Sequence, residues 1–408
     1  MACTYDRIFC QLIGALATVL DMEDDHKLHH AWRVAILSRE VARRLWPHRE
    51  GDIFYAGLLH DLGGIGLPDH IVHRVLRPGA EDDPEIRAHP ERGAEMVSLL
   101  PGVGARLRDL VAQHHEHWDG SGYPRGLKDG EIDGGALLLN LSDVLDLQLR
   151  SSPGRAWEDV RRRMERLAGR AYPVELWREA DRLLSAGLWE RLAGEEALEG
   201  EIAAAMSQLP PAGWEEDAPL TATISLFARI IDAKHGYTGG HSQRVATYAG
   251  KLAGALGMEE GERQKVEIAG LLHDLGKVAV PRPVLDKPGR LDPWELEIVR
   301  KHPARTIELL GNVTHLKEIA PLAGLHHERY DGRGYPYGLK GSDIPLGARL
   351  IAVADAFDAM TSPRPYQPTR SPQEALEVLA REAGKQFDPQ VVDMAEVLLD
   401  GQGIPNPN

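Results

Sequence analysis

The chain repeats itself once across its 408 residues, at a shift of 211 to 213, and this limits it to folds that one pattern can build twice. Asp21 and His30 answer Asp232 and His241, each histidine heading His-x-x-Arg-Val. His60-Asp61 answers His273-Asp274 inside Gly-Leu-Leu-His-Asp-Leu-Gly, and His89-Pro90 answers His302-Pro303, 29 residues further on in both copies. His114-His115-Glu116 answers His326-His327-Glu328, and both run on to Asp-Gly-x-Gly-Tyr-Pro. Asp143 answers Asp355, each 28 residues after the second histidine of its pair. Five spacings agreeing within two residues rule out coincidence.

The duplication predicts an N-terminal domain over 1–206, a linker over 207–219 with three prolines, a C-terminal domain over 220–400 and a tail over 401–408. With 43% hydrophobic residues, each copy can bury its own core. Both copies read as helical. Asp292-Pro293-Trp294-Glu295 and Ser371-Pro372-Gln373-Glu374 each join an N-cap, a first-turn proline and an acidic third residue, and Gly384 supplies a C-terminal stop. Val245, Tyr248, Ala249, Leu252 and Leu256 recur at helical spacing, as do Ala375, Leu376 and Leu379, and strand-like alternation is missing. The expected fold is all-α, with one helical bundle in each half.

Composition narrows the partners. A formal charge of −15 disfavours grip on a nucleic-acid polymer, because that grip comes from lysines and arginines displacing counterions. Local metal ions and a few basic side chains can still reverse the field inside one pocket. The only cysteines, Cys3 and Cys10, cannot form a disulfide framework. Leu12 to Leu20 is too short an apolar run to span a bilayer, and no basic segment precedes it. A soluble cytoplasmic protein, without membrane contact, is expected. Apolar helical surface left over after domain packing would favour a homodimer.

The paired residues form a donor set of nitrogen and oxygen without thiolate, suited to Fe, Mn, Zn or Ni, and seven side chains are too many for one ion. Alone, a His-Asp pair is ordinarily a hydrogen-bonded pair at a helix end and His-Pro a helix boundary. Together they are different, because an apolar core gains nothing from five histidines and two aspartates that each need a partner. Two neighbouring divalent cations can activate water and clamp a phosphate, which points to phosphoester hydrolysis. His273 and Asp274, being adjacent, would diverge by about 100° around a helix and so face two ions.

The segments Leu272-His273-Asp274-Leu275-Gly276-Lys277, His302-Pro303, His326-His327-Glu328 through Gly334-Tyr335-Pro336, and Ala352-Val353-Ala354-Asp355 through Thr361 closely resemble the HD-GYP family. The resemblance covers roughly Leu220 to Leu399. It implies a metal-dependent phosphodiesterase that hydrolyses cyclic di-GMP to the linear dinucleotide and on to GMP, with iron as the metal and manganese as the substitute. By that resemblance His241, His273, Asp274 and Asp355 hold one metal, and His302, His326 and His327 the second, with Asp274 bridging. Lys277 would meet a phosphate oxygen, Arg364 a phosphate or guanine, and Tyr335 would line the base pocket. Asp274 and Lys277 would carry the catalysis.

Two positions depart from the family. Tyr237 stands where members with a third metal carry glutamate, so two metals are expected. Gln367 replaces a frequently basic residue, which removes a phosphate contact and opens the choice of cyclic dinucleotide. The N-terminal copy keeps His30, His60, Asp61, His89, His114, His115 and Asp143 as a second ligand set, together with Gly122-Tyr123-Pro124. It has Gly64 in place of Lys277 and no counterpart of Thr361 to Tyr366, so it should hold metal in a regulatory or accessory role with little turnover. The alternatives are a broader phosphohydrolase acting on other cyclic or linear dinucleotides or nucleotides, and a nucleotide-binding scaffold with little turnover.

Overall fold

The computed structural model describes residues 10–18, 22–23, 26–27, 29–65, 67, 71–72, 79, 82–100, 102–150, 157–208, 224, 227–228, 240–287, 289–363 and 369–399. Asp21, Asp232, Tyr237, Arg364 and Gln367 lie outside them. The fold is all-α, as the sequence predicts. Among the described residues the only strands are a two-residue antiparallel pair, Met22–Glu23 with His26–Lys27. The contacts divide the chain into two compact units, Met1–Pro219 and Leu220–Asn408.

The two units reuse one helix order. In the first, the helix His30–Leu45 packs on Glu50–Leu59 and on Gly134–Arg150, with Pro84–Ser98 and Gly104–Ala112 closing the cluster. In the second, His241–Ala255 packs on Glu260–Leu272 and Leu346–Thr361, with His302–Gly311 and Ala320–Gly324 beside them. Val245, Tyr248, Ala249 and Leu252 are buried as their spacing requires, while Leu256, at the helix end, is only partly covered. Both expected capping boxes form: Asp292 accepts from the N–H groups of Trp294 and Glu295, and Ser371 from that of Glu374. After the helix Pro372–Glu382, Gly384 takes φ 75°, which glycine adopts without a Cβ clash.

Two expectations need correction. The helix Glu195–Gln208 runs through Ser207 and Gln208, which the sequence reading gave to the linker. The alanine-rich turn before them favours helix. The His273-Asp274 pair also does not lie within a helix. The helix Glu260–Leu272 stops before them, and Asp274, at φ −98° and ψ 9°, opens a tighter turn over Leu275–Ala279. Their ligand atoms, His273 Nε2 and Asp274 Oδ2, stand 3.4 Å apart where that helix ends. Among the described residues no helix is long and apolar enough to cross a membrane.

Candidate metal centres

Most of the site histidines sit where a helix leaves a carbonyl without its amide partner, and each uses that carbonyl to fix its ring. His273 follows the last turn of Glu260–Leu272 and bonds the Gly270 oxygen through Nδ1 at 2.7 Å. His326 bonds Ala323 at 2.6 Å, His60 bonds Gly57 at 2.8 Å, and His114 bonds Val111 at 2.7 Å. All are last-turn carbonyls.

The His-Pro pairs show the same logic. Pro303 has no N–H for the Val299 oxygen four residues earlier, and His302 Nδ1 bonds that oxygen at 2.6 Å. Pro90 frees Ile86 in the same way, and His89 Nδ1 bonds it at 2.6 Å. What reads in sequence as a helix boundary therefore sets a ligand's orientation.

A carbonyl can only accept, so Nδ1 carries the proton in each neutral ring and Nε2 presents a lone pair. In the second unit the Nε2 atoms of His273, His302 and His326 and Oδ1 of Asp274 are buried without a hydrogen-bond partner. Asp274 Oδ1 stands 3.3 Å from His302 Nε2 and 3.9 Å from His326 Nε2. Lone pairs facing a carboxylate repel unless a cation lies between them, so the donors fit a metal.

The grouping fits two ions. The ligand atoms of His302, His326 and His327 lie within 4.8 Å of one another, as do those of His241, His273 and Asp355 and those of His273, Asp274 and His326. Asp274 thus stands with a histidine of each set. In the first unit the same limit encloses Asp61, His89, His114 and His115, and separately His30, His60 and Asp143. All seven sequence-predicted donors of each unit are brought together.

Burial lowers His302, His326 and His327, the last to about 3. These rings are neutral at pH 7, as ligands must be. At the other end burial opposes charge on His241, but hydrogen bonds to Asp355 and Asp358 outweigh it and push the ring up to about 9. His30 is likewise pushed up to about 10 against burial, mainly by Asp146 and Asp61. Burial raises Asp143 to about 6, whereas Asp355 is held well below the usual range because the hydrogen bond and charge of His241 outweigh its burial.

The sequence reading missed several residues. Asp358 receives His241 Nδ1 at 2.7 Å and Arg244 Nε at 2.5 Å, and Asp146 does the same for His30 at 2.7 Å and for Arg33. The signal was present, since Asp-x-x-Asp and His-x-x-Arg occur in both copies. Glu328 is no ligand: it accepts from the N–H groups of Tyr337, Gly338 and Leu339 at 2.7, 3.1 and 3.0 Å and so folds the loop after the histidine pair. Glu116 clasps Arg125 and Leu127 likewise. That loop lays Tyr335 on His327, ring centroids 4.9 Å apart, with the Arg300 guanidinium 5.5 Å from the tyrosine ring. Lys277 Nζ sits 2.6 Å from Asp274 Oδ2.

Gly276 makes this geometry possible, because a Cβ there would collide with the carbonyl oxygen of His302; Gly63 meets His89 identically. Only glycine lets the His-Asp turn lie against the helix that carries the third histidine.

Comparison with known proteins gives a consistent picture. A family model described as HD domain matches residues 14–173 and again 225–391. The 3'3'-cGAMP-specific phosphodiesterase 1 of Vibrio cholerae is 31% identical over 402 residues, covering 94% of this chain and 90% of the relative. The 3'3'-cGAMP-specific phosphodiesterase 3 of the same organism is 34% identical over 325 residues, 78% of this chain and 68% of the relative. The cyclic di-GMP phosphodiesterase response regulator RpfG of Xanthomonas campestris is 44% identical over 173 residues, 42% of this chain and 46% of the relative. The crystal structure of a cyclic GMP-AMP-specific phosphodiesterase of V. cholerae, V-cGAP3, shares the fold, with a TM-score of 0.66 at 24% identity over 97% of this chain and 98% of that one.

Proposed function

The chain belongs to the HD-domain family, among the phosphodiesterases of HD-GYP type, and from that premise we propose that it hydrolyses 3'3'-cyclic GMP-AMP at the centre in its second unit. One observation carries the choice of substrate. The relatives that match across both units, including one over 94% of the chain, are cyclic GMP-AMP enzymes, whereas the cyclic di-GMP enzyme RpfG matches 42% of it. This moves the reading from cyclic di-GMP, which the resemblance of the second copy alone suggested, to the alternative of another cyclic dinucleotide. Gln367, in place of a basic residue, agrees with it.

Two divalent ions, iron or manganese, held by His241, His273, Asp274, His302, His326, His327 and Asp355, would supply Lewis acidity and an activated water. The chain's own part is positioning. Backbone carbonyls fix the tautomers of His273, His302 and His326, and Asp358 fixes that of His241. The Lys277 ammonium, partly exposed beside Asp274, would place positive charge against the phosphate as negative charge develops there. Tyr335 would brace His327 through one face of its ring. The first unit, with its own seven donors but no such ammonium, would hold metal and turn over little.

The test is kcat/KM for cyclic GMP-AMP, cyclic di-GMP, cyclic di-AMP and their linear products, measured with iron- and manganese-loaded protein. Preference for cyclic GMP-AMP is expected. Equal or better hydrolysis of cyclic di-GMP would return the reading to that nucleotide, and turnover of linear substrates alone would make the chain a broader phosphohydrolase.

A further inference from the structure

The first unit differs from the second at one lip of its centre, and a single side chain accounts for it. Counting from the His-Asp pair, Gly64 takes the place of Lys277 and Ile71 the place of Val284. A Cβ built on Gly64 would find Ile71 as its nearest neighbour, with Ile71 Cβ and Cδ1 both at 3.0 Å. The isoleucine crowds the position that the first carbon of a lysine side chain would take. It also packs with Leu67, Ile86 and Tyr123 in one buried cluster, and Tyr123 lies on His115 with ring centroids 4.7 Å apart. Ile71 therefore links the Asp61 side of the centre to the His115 side by an apolar bridge.

The exposure of the donors follows. The Asp143 side chain is 5% exposed and that of Asp355 22%. His115 and Tyr123 are buried where His327 and Tyr335 are only partly so. Asp61 runs the other way, 14% against 8% for Asp274, because Lys277 lies over Asp274 and Gly64 puts no side chain there. A phosphodiester brought to this face would shed water against isoleucine without meeting an ammonium, a loss on both counts.

We infer that Ile71 closes the first unit's centre to phosphate-sized ligands, leaving a site for divalent cations and water alone. This rests on the metal reading of that unit given above. The exchange of Lys and Val for Gly and Ile replaces an ammonium beside the aspartate with an apolar bridge across the lip while every donor stays in place.

The full chain carrying His273→Ala and Asp274→Ala, which disables the second centre, would be loaded with Mn2+ and its EPR spectrum recorded with and without inorganic phosphate. With Ile71 present the spectrum should be the same in both. With Ile71→Ala, and to a smaller degree with Ile71→Val, the residue the second unit uses, added phosphate should change it; melting curves confirm that each variant is folded. A phosphate response with Ile71 intact overturns the closure, and a folded Ile71 variant that stays indifferent overturns the role of this residue. Absence of bound Mn2+ would instead defeat the metal reading itself.

Discussion

The two units hold the same seven donor types at spacings that agree within two residues, yet they differ at the lip of the centre. In both, histidines are aimed by carbonyls at helix ends and one is held by a carboxylate that also takes an arginine. At the lip, one unit offers Lys277 beside Asp274 and the other an isoleucine against a glycine. Metal holding and substrate handling are thus separable layers. The first is built into backbone that must fold in any case, whereas the second depends on a few side chains that can be exchanged without disturbing it.

The sharpest way to break this comparison is to remove the shared aspartate from each unit in turn. Asp274→Ala should lower cyclic-dinucleotide turnover to background and reduce bound metal, because the carboxylate stands with histidines of both sets. Asp61→Ala should cost metal but leave turnover close to that of the parent. Turnover and elemental analysis on both proteins decide it, and loss of activity in Asp61→Ala would reverse the division of labour.

A somewhat smaller effect is expected at Lys277. Lys277→Ala should lower kcat by about 10²- to 10³-fold, as removal of one positioned charge stabiliser does, with metal content unchanged. Metal loss equal to that of Asp274→Ala would show that the ammonium supports the site and not the phosphate.

Asp358→Asn should weaken metal binding by about 10- to 100-fold, since the amide no longer fixes the His241 ring as the carboxylate does. Asp146→Asn should do the same to the first unit without a comparable drop in turnover. Competition with a metal chelator measures both. Equal effects on turnover would mean that the two centres work together.

The mildest expectation concerns pH in the metal-stripped chain. His327 takes a proton only near about 3, whereas an unfolded histidine does so near 6.5. Between those values the unfolded state binds more protons, so this ring's contribution to stability is present above about 6.5 and is lost as pH falls toward 3. His241, pushed up to about 9, acts oppositely: its contribution is present below about 6.5 and fades as pH rises through 9. Melting temperature against pH, compared between the parent and His327→Gln, should show a gentler acid-side decline in the variant. An unchanged slope would place the acid sensitivity elsewhere, such as in the first unit.

Much of the site was legible because it was written twice. A donor that recurs in two diverged copies is separated from the background of ordinary histidines, and the fourteen predicted ligands come together in their units. Asp146 and Asp358 were marked by the same repetition but carried no distinctive chemistry of their own, so their role stayed hidden until His30 and His241 were seen to reach them. Tyr335 was expected at the base and is found against His327, because the Glu328 clasp sets the direction of its loop.

The sequence by itself determined the duplication, the all-α class, the helix brackets and the identity of the donors, since these depend on residue types and on intervals along the chain. The tertiary structure decided where each lone pair points, which donors can share an ion, and what stands at the lip of each centre. Those depend on which helix end supplies a free carbonyl and on what fills a few ångströms beside it. Ile71 lies seven residues from Gly64 and 52 from Tyr123, and no spacing in the chain says that its side chain stands against the one and packs in a cluster with the other.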